Sequence, residues 1–173
     1  MTWHLHGSLP TPLPQPPSKL KPGEAFTWLD RRLDKPLSGP TYLRQPAIAQ
    51  IVVDSIHTGA FLGHYALGAY VVMAHHVHLL IRPKVAPDRL MKSLKGSTAR
   101  KANRALGRTG GPFWQKESYD HWVRGQQEFE RIRAYIENNP VTAGFVRTPE
   151  EFLWSSASVE KSLDAARMSA FAT

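Results

Sequence analysis

Two histidines one residue apart form the pair with the clearest chemical potential in this chain. His76 and His78 flank Val77 in a run that continues with apolar residues to Ile81. Successive side chains of a strand point to opposite faces, so residues two apart share a face. Val77 and Leu79 can then fill a core while the two histidines project together. Two neutral imidazoles on one rigid face are suitable metal ligands. The alternative is a strand with two incidental polar residues on its solvent face.

A second group of interest lies on one row of a helix predicted over residues 126–138. Arg131, Tyr135 and Asn139 are spaced at i, i+4 and i+8, to the side of the apolar stripe. A tyrosine at this border between core and solvent can act as a nucleophile, or can simply keep its hydroxyl in water. Asn139 precedes Pro140, where the helix is expected to end, so its alternative role is a helix cap.

Positive charge is concentrated between Arg82 and Arg108, where Asp88 is the single acid. A helix is predicted over 88–106, and its solvent side carries nearly one sign, whereas a merely solvated face usually mixes signs. We expect contacts with a phosphate backbone, which are salt-dependent and carry little sequence information. The alternative is an exposed face without a ligand. Including Arg131, the expected nucleic-acid contacts are Arg82, Lys92, Lys95, Arg100, Lys101, Arg104, Arg108 and Arg131.

Aromatic residues follow the basic helix directly. Phe113, Trp114, Tyr119 and Trp122 can stack on unpaired bases, or they can belong to the core of a small domain.

The composition limits the classes of protein that this chain can represent. It has 173 residues, no cysteine and a net charge of +8. Any metal ligands must therefore be nitrogen or oxygen, and the positive charge favours a polyanionic partner such as nucleic acid. No apolar run approaches the roughly 20 residues of a membrane span, and residues 1–6 do not resemble a signal peptide. We expect a cytoplasmic protein without a membrane partner.

The order of elements predicts an α+β fold, an antiparallel sheet with helices packed on one face. A single domain is expected over residues 1–158, with a divergent, partly helical insertion at 10–60 and a polar tail at 159–173. The predicted strands are 2–8, 65–73, 76–82 and one within 113–123, and the predicted helices are 23–30, Pro46 to Gly59, 88–106 and 126–138.

Three segments together resemble the REP-associated tyrosine transposases, which belong to the single-tyrosine HUH (His-hydrophobic-His) transposases. They are residues 71–81 (VVMAHHVHLLI), 113–124 (FWQKESYDHWVR) and 135–146 (YIENNPVTAGFV). They occur in the family's order and, with Trp154-Ser155-Ser156, span most of residues 64–157. The resemblance implies the ferredoxin-like (RRM-like) HUH fold and a DNA-cleaving, strand-transferring enzyme. Residues 10–60 match the family core poorly.

The resemblance also implies roles for individual residues. His76 and His78 match the metal ligands, Asn139 a third, amide-type ligand, and Tyr135 the nucleophile. Such a donor set leaves positions open for substrate oxygens and suits Mg²⁺ or Mn²⁺. The implied substrate is single-stranded or hairpin DNA, including REP palindromes, bound by a monomer or homodimer. The chain departs from the family at His75, which replaces Asn or Glu, and at Ala74, which replaces Pro.

Other interpretations remain open from the sequence. Tyr119 is a rival nucleophile, although no asparagine follows it at the spacing seen after Tyr135. The chain can also be a DNA-binding protein of the same fold that has lost catalysis. A metal-dependent hydrolase of small phosphoesters is the third interpretation, and it leaves the basic helix unexplained.

Overall fold

Four strands form one antiparallel sheet: β1 (Thr2–Leu5), β2 (Tyr65–Val72), β3 (His76–Pro83) and β4 (Trp114–Tyr119). In this computed structural model, which describes residues 1–9, 14–15, 17–20, 28 and 39–159, the spatial order is β2-β3-β1-β4. β2 and β3 form the predicted hairpin. The short first strand lies in the middle of the sheet, between β3 and β4.

Among the described residues, three helices cover the sheet: α1 (Pro46–Phe61), α2 (Pro87–Ala105) and α3 (Gln126–Thr142). α1 and α2 begin with a proline, whose fixed φ and missing N–H suit the first turn. Two 3₁₀ turns, Tyr42–Arg44 and Pro149–Glu151, flank this core. Within the described part of the chain, no helix is both long and apolar enough to cross a membrane.

The α+β class and the antiparallel sheet are confirmed, but the helices do not all pack on one face. α1 and α2 pack on one side, and α3 packs on the opposite side. The reason is that the face with the histidines is not simply polar, because Ala69, Val71 and Leu80 also lie there and need to be covered. The first core contains Trp3, Leu5, Tyr70, Val72, Val77 and Leu79 of the sheet with Ile48, Val52, Ile56, Met91, Leu94 and Ala102 of the helices.

The predicted end of α3 at Asn139 and Pro140 is wrong, since the helix continues to Thr142. Proline removes the hydrogen bond that its own N–H would donate and crowds the carbonyl of the residue four positions earlier, but here the helix continues for two residues beyond Pro140. The stop signal is Gly144, which has a φ of +73°. The N–H of Phe145 donates to the carbonyl of Pro140 at 2.9 Å, which closes a Schellman motif.

Some sequence predictions fall outside the described residues. These are most of the helix predicted over 23–30, much of the proline-rich part of the 10–60 insertion, and the tail beyond residue 159. The single-domain boundary at 158 stays a prediction.

Candidate active site on the histidine face of the sheet

The side of the sheet covered by α3, here called the histidine face, carries the two histidines of β3. The Nε2 atoms of His76 and His78 lie 3.0 Å apart, and both side chains are fully buried. Their ring centroids are 4.6 Å apart. The two imidazoles share a face of the sheet, as the alternation of β3 requires, and each turns its Nε2 toward the other within hydrogen-bond distance.

The first strand orients one of these rings. Thr2 of β1 pairs directly with His78 of β3, and its Oγ1 lies 2.7 Å from Nδ1 of His78. When Nδ1–H donates to this hydroxyl, the lone pair of Nε2 is left for a ligand bond. Hydroxyl or carboxylate partners at the second nitrogen commonly fix metal-binding histidines in this way. Thr2 is therefore part of the site, although its sequence context gives no signal of it.

Two further histidines surround His76. His4 pairs with His76 across β1 and β3, with ring centroids 5.2 Å apart, and the His75 ring lies 4.8 Å from that of His76. Burial, followed by repulsion from His78, His4 and His75, holds the pKa of His76 well below its usual range. His76 is thus neutral at physiological pH, which is the form that binds metals. The alternation of Trp3 and Leu5 with His4 already placed His4 on the polar side, but its strand partner could not be known.

The tyrosine helix lies over the same face. The ring of Tyr135 is 6.1 Å from that of His78, centroid to centroid. Asn139 follows one turn later and is buried, whereas Arg131 precedes Tyr135 by one turn and is exposed. The packing of α3 therefore brings the distant phenol to the histidine pair, and the buried amide belongs to the same layer.

A serine anchors α3 to the edge of the sheet. Oγ of Ser156 donates to Glu137 of α3 at 2.9 Å and accepts the N–H of Tyr70 at 3.1 Å. The carbonyl of Trp154 accepts the N–H of Val72 at 2.9 Å. The Trp154-Ser155-Ser156 segment, recognised in the sequence without a role, thus connects β2 to the helix that carries Tyr135.

Tyr119, the rival nucleophile, also lies on the histidine face. It pairs with Thr2 across β1 and β4, and Thr2 pairs with His78, so the three residues form one row across the sheet. Burial raises the pKa of Tyr119. A raised pKa keeps the phenol protonated and makes it a weaker nucleophile. The geometry therefore leaves Tyr119 as a rival nucleophile, with a phenol that burial disfavours as a phenolate.

The donor set fits a divalent cation with open coordination positions. Two imidazole nitrogens converge, one ring is held by Thr2, and the other is neutral. Among the described residues, no three His, Asp or Glu side chains come together as a metal cage. Asn139, which is buried on α3, is the third, amide-type donor that the family resemblance implies. Such a set leaves room for phosphate oxygens, as Mg²⁺ and Mn²⁺ sites in phosphoryl-transfer enzymes do.

The predicted DNA-binding residues fall into two groups. Lys95 donates from Nζ to the carbonyls of Gln115 and Lys116 at 2.7 and 3.0 Å, and Arg108 packs over the Tyr42 ring at 4.8 Å. These two contacts stabilise the fold. The others are exposed: Arg82, Lys92, Arg100, Lys101, Arg104 and Arg131.

The basic helix lies on the side of the sheet opposite the histidines. Met91, Leu94 and Ala102 of α2 pack in the first core, against the strand residues that alternate with His76 and His78. Arg100 and Arg104 are thus separated from the histidine face by the sheet itself. Only Arg82, at the end of β3, and Arg131, on α3, share the side with the site.

The aromatic residues divide in the same way. Phe113 and Trp114 are buried in the first core, which agrees with the core alternative and leaves neither ring available to stack on bases. Both are needed to fill the space between the sheet and α2, and Nε1 of Trp114 donates to Thr98 at 2.9 Å. Trp122 is 71% exposed.

Comparison with known proteins decides the family. Residues 47–139 match the family model described as "Transposase IS200 like", which is more than half of the chain. The chain belongs to the IS200-like transposase family. The match includes both histidines of the pair, Tyr135 and Asn139, whereas β1 lies outside it. No curated protein matches this IS200-like transposase.

A solved structure shares the fold of this IS200-like transposase. It is described as "Structure of the REP associates tyrosine transposase bound to a REP hairpin". The match has a TM-score of 0.56 and 17% identity, and covers 90% of this chain and 73% of that chain. At this identity the likeness shows the fold alone.

Proposed function

We propose that this IS200-like transposase cleaves and rejoins single-stranded or hairpin DNA through a covalent 5′-phosphotyrosine at Tyr135. The observation that supports this most directly is the position of the Tyr135 ring, 6.1 Å from that of His78 on the histidine face. A phenol from one helix and an imidazole pair from a strand share one layer of the fold. REP hairpins are the first substrates to test, because the structural relative is described as bound to one.

The proposed reaction is an in-line displacement at phosphorus. The phenol oxygen of Tyr135 bonds to the phosphorus, the bond to the 3′ oxygen breaks, and the phenol proton is lost. The leaving oxygen takes a proton and becomes a free 3′-OH. The phosphate ester on tyrosine conserves the bond energy, so a 3′-OH can later attack it and restore a DNA strand. A hydrolase would lose this possibility.

Each residue of the site has a proposed part in this step. His76, His78 and Asn139 would hold the divalent cation, which supplies charge neutralisation at the non-bridging oxygens of the scissile phosphate. Thr2 keeps the His78 ring in the orientation that leaves Nε2 for binding. Arg131, one turn from Tyr135 and exposed, favours the phenolate over the phenol by its positive charge.

The test is an adduct assay with oligonucleotides labelled at either end. A panel of hairpins with unpaired flanks is incubated with protein and Mn²⁺, and the products are separated under denaturing conditions. A 3′ label is expected to stay with the protein, and a 5′ label to appear in a shorter fragment with a 3′-OH. Tyr135→Phe is expected to abolish the adduct and to bind DNA as the wild type does.

Tyr119→Phe is the matched control, since it removes the other phenol of the histidine face. It is expected to retain the adduct. If Tyr135→Phe forms the adduct and Tyr119→Phe does not, the nucleophile is Tyr119 on β4.

The alternative function is DNA binding without catalysis, which the departures from the family pattern at His75 and Ala74 favour. Titration calorimetry with Mn²⁺ separates the two functions. No heat of binding in the wild type, and no change on His76→Ala, would support the non-catalytic protein.

A further inference from the structure

A groove opens at the end of β3, beside the candidate active site. It encloses about 580 Å³ between β3, the start of α3 and the loop of residues 120–125. Its volume is within the range of roughly 300–1,000 Å³ that is usual for small-molecule sites. No role proposed so far uses it.

The groove continues the row of the histidines. Leu80 and Arg82, which line it, follow His76 and His78 at intervals of two along β3 and therefore share the histidine face. Two residues of a strand advance about 6.7 Å. A strand of DNA whose phosphate lies at the histidine pair thus has a neighbouring nucleotide within reach of the groove.

The lining suits a flat aromatic ligand. Trp122 is 71% exposed and lines the groove together with Phe129 and Val123. An exposed indole at the wall of a groove keeps apolar surface in contact with water. A ligand that covers this surface is stabilised by its burial. Aromatic side chains in this setting stack on nucleobases, irrespective of the base.

The charges of the groove distinguish a base from a phosphate. Asp88 and Asp120 line it and would repel a phosphate, whereas they can accept hydrogen bonds from the amino group of a base. Arg82 lines the groove as well and is exposed, so it can hold the backbone outside. Arg124, between two lining residues, is exposed too.

We infer that this groove binds one unpaired nucleobase of the DNA strand, next to the phosphate that is cleaved, with Trp122 as its stacking platform. The inference rests on the proposed function for the position of that phosphate. The carboxylates favour adenine, cytosine or guanine, each of which has an exocyclic amino group, over thymine.

The experiment is an abasic scan. The hairpin that binds best in the panel is made with a single abasic residue at each position of its unpaired flanks in turn. Binding is measured by fluorescence anisotropy with Tyr135→Phe protein, so that no cleavage occurs. One position beside the cleavage point is expected to lose about ten-fold in affinity, as the loss of one stacked base does.

Trp122 variants connect this loss to the groove. Trp122→Ala is expected to bind the intact hairpin about ten-fold more weakly and to show no further loss at that position. Trp122→Phe is expected to recover most of the affinity, because a ring is restored. Phe61→Ala, which removes an aromatic side chain 90% exposed at the end of α1, is the matched control and is expected to bind as the parent does.

The base preference is tested at the sensitive position of the DNA. Placing thymine at that position is expected to weaken binding, and Asp120→Asn is expected to reduce this preference.

The outcomes distinguish a failure of base binding in the groove from a failure of the proposed cleavage reaction. A flat abasic scan, or an equal loss in Trp122→Ala and the parent, overturns the inference even if the wild type forms an adduct. One sensitive position that depends on Trp122, but no adduct, overturns the proposed function and the place of the base beside a cleaved phosphate, and supports only base binding in the groove. If no hairpin binds at all, both are overturned.

Discussion

Oγ1 of Thr2 and Nδ1 of His78 lie 2.7 Å apart, although the two residues are 76 positions apart in the chain. The two residues are direct partners in the pairing of β1 with β3. The contact engages Nδ1 of His78 and leaves Nε2 facing His76, so the first strand orients this ring within the candidate site. The candidate site therefore includes a residue of a strand that lies outside the region matching the family model.

Replacing Thr2 by valine removes this contact and keeps the shape of the side chain. We expect Thr2→Val to weaken Mn²⁺ binding about ten-fold, because loss of a partner to a metal-binding histidine typically costs 10- to 100-fold. Titration calorimetry measures the change. Thr58→Val on α1, whose hydroxyl donates to Asp54, is the control and should keep the wild-type affinity. Equal affinities in Thr2→Val and wild type would remove Thr2 from the site.

The local part of this site could be predicted from the sequence, and the long-range part could not. Alternation in β3 places His76 and His78 on one face, and the 3.6-residue period places Asn139 with Tyr135. The pairing of β1 between β3 and β4 depends on contacts between distant segments, and a strand of four residues carries too little pattern to specify them. Thr2 and His4 were therefore missed as parts of the site.

The position of the basic helix shows the same limit. Its charge pattern predicts an exposed face, and the exposure of Arg100, Lys101 and Arg104 agrees with it. Which side of the sheet the helix covers is decided by core residues that come from all four strands and from α1. Helices packed on one face, as expected from the sequence, would place the basic helix and the candidate site on the same side of the sheet. In the structure, the sheet lies between them.

Because the sheet lies between the basic helix and the histidine face, we expect substitutions of basic residues on the two sides to affect DNA binding and DNA cleavage differently. Arg100→Gln and Arg104→Gln, on the far side of the sheet, should weaken DNA binding and each reduce the salt slope by about 1. Single-turnover cleavage at saturating protein should keep its wild-type rate. Arg131→Gln, on the histidine face, is expected to lower that rate. Equal losses of rate for Arg104→Gln and Arg131→Gln would contradict this division.

Gly68 allows α3 to approach the sheet. A Cβ at this position would lie 2.8 Å from Cζ of Phe129 and 3.1 Å from the carbonyl oxygen of Leu80. The register of β2 with β3 shifts at this point, between Leu67 and Ala69. A methyl group at this position must displace either the Phe129 ring on α3 or the backbone of β3 at Leu80.

We therefore expect Gly68→Ala to destabilise the protein by about 1–3 kcal/mol, the usual cost of overpacking, and to slow adduct formation because Tyr135 moves with α3. Urea unfolding and the adduct assay measure the two effects. Adding Phe129→Leu should recover part of the stability. Gly96→Ala, where the nearest atom is Nη1 of Arg100 at 3.9 Å, should instead stabilise α2. A neutral Gly68→Ala would show that α3 does not need this close approach.

The buried state of His76 predicts how stability depends on pH in metal-free protein. Its pKa in the folded state is well below 6.5, mainly because of burial, so the unfolded chain binds this proton first. The free energy of unfolding should be flat above about pH 6.5 and should fall as the pH decreases below it. Urea unfolding in the presence of a chelator tests this, and His76→Gln should reduce the slope. His6→Gln, which changes an exposed histidine just after β1, should keep the wild-type slope. A His76→Gln profile identical to that of the wild type would mean that His76 does not control the acid sensitivity.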